Sequence, residues 1–132
     1  MLRSVMFCGR AEAKAEIPRQ DWAVISIGEW GSDPAELQEG WHSILRLEFH
    51  DIDAELEPYD LFSEVQARRI IQFVKEIEPE VSGILVHCRA GISRSAAVAK
   101  WIAETYGLRF PESYSLYNKH VYKMLSLQSS CE

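Results

Sequence analysis

One stretch limits this chain more than any other. Gly83-Ile84-Leu85-Val86-His87-Cys88 is a short apolar run, and Arg89-Ala90-Gly91-Ile92-Ser93 follow as a tight loop around a glycine. Ala96-Ala97-Val98-Ala99-Lys100-Trp101-Ile102 then reads as a helix apolar on several sides. A buried strand passing through a tight loop into a buried helix needs a sheet beneath it and layers on both faces. The same arrangement sets the loop at a helix N-terminus, where unpaired N–H groups and the positive end of the dipole favour an anion. Cys88 opens that loop and would be a thiolate or near it, because a field that holds an anion also stabilises negative sulfur.

Arg94 stands six positions after Cys88. A planar guanidinium at that distance can fold back and grip two oxygens of a phosphoryl group. Gly91 lets the backbone turn its N–H groups inward with no Cβ in the way. The competing reading is a buried cysteine, a capping Ser93 and a surface Arg94. It explains each residue alone but not their spacing.

His87-Cys88-x5-Arg94-Ser95 resembles the Cys-x5-Arg signature of the protein tyrosine phosphatase superfamily, most closely that of the small dual-specificity type. The resemblance covers most of residues 43–107 and is thin before them. It implies a metal-free hydrolysis of phosphate monoesters with Cys88 as nucleophile. Arg89, Ala90, Gly91, Ile92, Ser93 and Arg94 would hold the phosphoryl oxygens. Ser95 would help the thiolate leave in the second step, and His87 would orient and tune the cysteine. The family takes its general acid from an aspartate on a neighbouring loop. Laying residues 45–49 on the strand that precedes it brings Asp53 to that position. Asp51 is the alternative, or a brace for the loop, and Asp60 is third because it also suits the start of a helix. Arg89 would either touch substrate or be a surface charge.

The remaining chain reads as strands at residues 4–8, 22–27, 43–49 and 84–87, and helices at 11–17, 59–78, 93–106 and 111–127, with one helical turn at 33–37. Phe62, Val65, Ile70, Phe73, Val74 and Ile77 form the expected stripe of the first long helix. Leu116, Val121, Met124 and Leu125 are the expected inward face of the last, and residues 129–132 should fray. Strands joined through helices predict a single α/β domain over residues 1–132, with a mainly parallel sheet of four to five strands flanked by helices. In such sheets ligands bind beyond the carboxyl ends of the strands. Those ends bring residues 9–10, 28–30, 50–53 and Cys88 together.

A formal net charge of −6 argues against nucleic acid as the partner. No apolar run is long enough to span a membrane. No His or carboxylate cluster has ligand spacing, so neither a metal nor a cofactor is expected. Three cysteines, Cys8, Cys88 and Cys131, make neither a disulfide framework nor a zinc pattern, which suits a reducing cytoplasm. Cys8 could pair reversibly with Cys88 under oxidation, and Cys131 reads as an inert tail thiol. Trp30, Trp41 and Tyr59 are candidate pocket walls. The expected substrate is a phosphotyrosine protein, and phosphoserine or phosphothreonine with a shallow pocket, acted on by a monomer. The rivals are a phosphoinositide or small phosphate-ester phosphatase, a silent phosphate-binding module and a sulfurtransferase. The last does not call for Arg94-Ser95.

Overall fold

The computed structural model describes residues 1–29 and 31–130. Trp30 and Cys131 lie outside the described residues.

Four strands form one sheet: β1 (Ser4–Gly9), β2 (Trp22–Gly28), β3 (Ser43–Glu48) and β4 (Gly83–Cys88). All pairings are parallel, in the order β1-β4-β2-β3. β4 runs between two neighbours and is buried at all six positions. A strand covered on both faces has no polar side to show, which explains why its sequence is apolar without alternation.

Alternation along the strands divides the core in two. Ala23, Ile25, Ile27, Ile84, Val86 and Cys88 face the larger layer, built from α2 (Glu64–Ile77), α3 (Arg94–Tyr106) and α4 (Lys119–Ser130). Trp22, Val24 and Leu85 face the other way, onto Ala13 of α1 (Arg10–Ala15). Gly83 leaves room for the Trp22 indole: a Cβ there would lie 2.2 Å from its ring.

The helix starts differ from the sequence expectation, and side-chain caps account for it. α2 begins at Glu64 rather than 59 because Ser63 caps it. The Ser63 Oγ accepts from the Gln66 N–H at 3.2 Å, while the Gln66 Oε1 accepts from the Ser63 N–H at 3.1 Å. From this start the buried stripe is Ala67, Ile70, Ile71, Val74 and Ile77, and Val65 is exposed. α4 begins at Lys119 rather than 111, because Asn118 Oδ1 accepts from the Val121 N–H at 3.0 Å. Leu116 precedes that cap and is exposed, whereas Val121 and Leu125 are buried. α4 stays helical through Ser130. No helical turn forms at 33–37. Arg10 and Arg46 hold the carbonyls of Pro34 and Ala35 there, each at 3.1 Å. α3 ends as expected at Gly107, in the left-handed region at φ +68°.

Candidate active site

β4 delivers Cys88 to the carboxyl edge of the sheet, and α3 starts at Arg94. The five residues between them close a loop against the end of β1. Gly91 has φ +74°, and a Cβ there would fall 2.2 Å from the Gly9 nitrogen. Only glycine allows both the conformation and the approach.

The loop is pinned through its carbonyls. The Arg10 N–H donates to the Arg89 carbonyl at 3.1 Å, and the Asn118 N–H donates to the Ser93 carbonyl at 3.0 Å. A trans peptide carries its C=O and N–H on opposite sides. Carbonyls drawn outward therefore turn the N–H groups of Ala90 and Arg94 toward the inside of the loop, where they can hold an anion.

Arg94 is 3 % exposed and is not a surface residue. Its Nη1 donates to the Phe49 carbonyl at 2.8 Å and to the Gly28 carbonyl at 3.5 Å. Its Nη2 donates to Glu29 Oε1 at 3.4 Å. The carboxyl ends of β2 and β3 thus fix one side of the guanidinium. Nε is buried with no partner among the described residues. An orphaned buried donor is costly unless a ligand completes it, and an oxyanion in the loop is suited to do so. Ser93 makes no side-chain cap on α3. The reading of Ser93 as a cap and Arg94 as a surface charge is therefore excluded.

Around the sulfur, Cys88 Sγ and Ser95 Oγ form a hydrogen bond of 3.1 Å. His87 is 1 % exposed, and its Nε2 lies 2.7 Å from Ser26 Oγ. Burial pushes the His87 imidazole below its ordinary pKa. The guanidiniums of Arg10, Arg46 and Arg94 add to that, against the opposing pull of the Cys88 backbone. His87 thus favours the neutral imidazole, held beneath the loop by Ser26. Cys8 pairs with His87 in the sheet register and Gly9 pairs with Cys88. The two thiols therefore point to opposite faces, Cys88 into the larger core and Cys8 against the smaller one. A direct bond between them would require the edge of the sheet to rearrange.

The three aspartates occupy different places. Asp51 touches the loop: its Oδ1 accepts from Ser93 Oγ at 2.8 Å and from Asn118 Nδ2 at 2.8 Å. Asp53 stands exposed in a groove lined also by Asp51, Leu56, Tyr117 and Lys119. Asp60 closes the base of that loop, its N–H donating to His50 Nδ1 at 2.8 Å. Arg89 leans outward, 3.7 Å from Glu29 and largely exposed. Trp41 packs in the smaller core and Tyr59 lies edge-on to His50 at 5.0 Å, so neither walls the loop. Among the described residues no three His, Cys, Asp or Glu side chains gather as a metal site.

Sequence reasoning passed over Ser26, Glu29 and Asn118. Ser26 had a signal, as the one polar side chain inside an apolar strand. Glu29 and Asn118 sit in irregular segments whose course only the fold supplies.

Residues 43–129 match the model of the dual specificity phosphatase catalytic domain. The chain belongs to that family. The match runs past residue 107, so the last helix, which carried no recognisable feature, is part of the family domain. The dual-specificity fold recurs in solved structures covering nearly the whole chain. The human tyrosine phosphatase-like serine/threonine/tyrosine-interacting protein has a TM-score of 0.64 at 18% identity, covering 96% of this chain and 91% of that one. Human DUSP28 has a TM-score of 0.64 at 16% identity, covering 96% and 92%. Tk-PTP in its active form has a TM-score of 0.58 at 17% identity, covering 98% and 91%. No curated protein matches the chain in sequence. The dual-specificity phosphatase domain implies phosphorylated substrates, and among the described residues no helix is long and apolar enough to cross a membrane.

Proposed function

We propose that the protein hydrolyses phosphotyrosine, and phosphoserine or phosphothreonine more slowly, through a thiophosphoryl intermediate on Cys88. The observation that carries this reading is Arg94: a guanidinium buried beside Cys88, tied on one side to the sheet and left with an unpaired Nε.

In the first step the Cys88 thiolate attacks phosphorus in line. An S–P bond forms while the P–O bond to the leaving group breaks. Arg94 and the inward N–H groups hold the equatorial oxygens, which carry the charge of the transition state. The departing oxygen takes a proton, which an aryl or alkyl oxygen needs to leave well. We assign that proton to Asp51 rather than Asp53. Ser93 and Asn118 both donate to Oδ1 of Asp51, which orients the carboxyl beside the loop and leaves Oδ2 to carry the proton. In the second step water attacks phosphorus, the S–P bond breaks and the same aspartate accepts the water's proton. The Ser95 hydroxyl, 3.1 Å from Sγ, turns its proton to the departing thiolate. A thiolate nucleophile suits a reducing cytoplasm.

A panel of phosphotyrosine, phosphoserine and phosphothreonine peptides, phosphoinositides and nucleotides tests the substrate class, with Cys88→Ser as control. Phosphotyrosine peptides should be the best substrates. A clear preference for a phosphoinositide or a nucleotide would overturn the protein-directed reading.

A further inference from the structure

The carbonyls of Arg89 and Ser93 are held by backbone donors, which any residue would supply. Between them, the Ile92 carbonyl is held by a side chain. The hydroxyl of Tyr114 donates to it at 2.5 Å. Tyr114 lies in the irregular segment between α3 and α4, far from the loop in sequence.

The peptide joining Ile92 to Ser93 is trans, so its C=O and N–H point opposite ways. A phenol that draws the Ile92 carbonyl outward turns the Ser93 N–H into the loop. That amide lies between the loop glycine and Arg94, where an equatorial phosphoryl oxygen would rest. Asp51 and Asn118 hold the Ser93 hydroxyl and the next carbonyl, so the phenol is what holds the carbonyl of the Ile92–Ser93 peptide itself.

The phenol is itself well seated. The Tyr114 ring packs edge-on to Phe7 at 5.2 Å and to Phe110 at 6.0 Å, and Phe7 and Phe110 stack at 5.5 Å. Phe7 belongs to β1, against whose end the loop closes. Sheet edge, aromatic cluster, phenol and peptide thus form one continuous support. Burial, and then the nearby Cys88 sulfur, push the phenol's ionisation upward. It therefore remains a donor across the neutral range.

We propose that Tyr114 is a positioning residue of the phosphate cradle: its hydroxyl fixes the Ile92–Ser93 peptide so that the Ser93 N–H faces the phosphoryl group. This rests on the phosphatase reading of the same loop.

Tyr114→Phe keeps the ring and its aromatic contacts and removes only the donor. The test is the dissociation constant of inorganic phosphate, by titration calorimetry of the whole protein, together with KM and kcat for a phosphotyrosine peptide and the thermal midpoint. Phosphate should bind the variant about 5- to 10-fold more weakly, the size of one net hydrogen bond. KM should rise by a similar factor while the thermal midpoint changes little. Equal phosphate affinity in the two proteins would overturn the inference, as would a lowered midpoint with unchanged affinity. A second measurement needs no variant. In wild-type protein the backbone amide resonance of Ser93 should shift on saturation with phosphate, along with those of Ala90 and Arg94. A silent Ser93 amide beside responding neighbours would overturn the inference. No phosphate binding by the wild type would overturn the phosphatase reading and this inference with it, a result distinct from equal binding by both proteins.

Discussion

The hydroxyl of Ser93 donates to Asp51 Oδ1 at 2.8 Å, and Asn118 Nδ2 reaches the same oxygen at the same distance. One carboxylate oxygen thus joins the loop after β3, the Cys88–Arg94 loop and the cap of α4. The two loops are built as a unit.

Asp51→Asn should therefore carry the signature of a lost general acid. Turnover of a phosphotyrosine peptide should fall by roughly 10²–10⁴. An aryl phosphate with a highly activated leaving group should be slowed far less, since its oxygen departs without a proton. Asp53→Asn should change both substrates by similar, small factors. Steady-state rates on the two substrates decide it, and the leaving-group signature in Asp53→Asn alone would return the acid to that residue.

Arg94→Lys should lose about 10²–10³ in kcat, the scale set by removing one preorganised donor to a developing oxyanion. A lysine keeps the positive charge but not the planar fork that grips two oxygens while holding the Phe49 carbonyl. Near-native turnover would show that charge alone suffices.

His87 sets a pH dependence of stability. Its pKa in the folded protein lies below the ordinary 6.5, with burial as the leading cause. The unfolded chain then takes up the proton more readily. The stability that neutral His87 contributes is fully present above about pH 6.5 and is lost progressively as pH falls below it. Urea midpoints should drop between pH 6.5 and 5, and His87→Gln should flatten that slope. A slope unchanged in the variant would show that His87 is not its source.

Gly91→Ala should cripple both fold and activity. The φ of +74° alone costs a residue with a Cβ about 1–3 kcal/mol, and the new atom would meet the backbone of Cys8 and Gly9 at 2.2–2.3 Å. Thermal melting and the peptide assay should both register the loss.

Much of this was legible because local chemistry and global fold agree. Cys88, Gly91, Arg94 and the apolar run before them act over a few residues, and periodicity placed the four parallel strands. The aspartate was harder to read. Asp51 and Asp53 lie two residues apart in one acidic loop, and the proposal of Asp51 as acid rests on the approach of Ser93 and Asn118 from elsewhere in the chain. Val65 misled because at 3.6 residues per turn it falls on the side of α2 away from Ile70 and Val74, and Leu116 because it precedes the Asn118 cap and so lies outside α4. Glu29 was legible only as part of a strand end near Cys88, and Tyr114 left no pattern, since it meets the loop across more than twenty residues of sequence.

The most direct test of the account is to trap the phosphoenzyme. Mixing the protein with a phosphotyrosine peptide, quenching within milliseconds and mapping the product by mass spectrometry should find a phosphoryl group on Cys88. Cys88→Ser should show neither that adduct nor turnover. A phosphoryl group on any other residue, or continued turnover by Cys88→Ser, would contradict it.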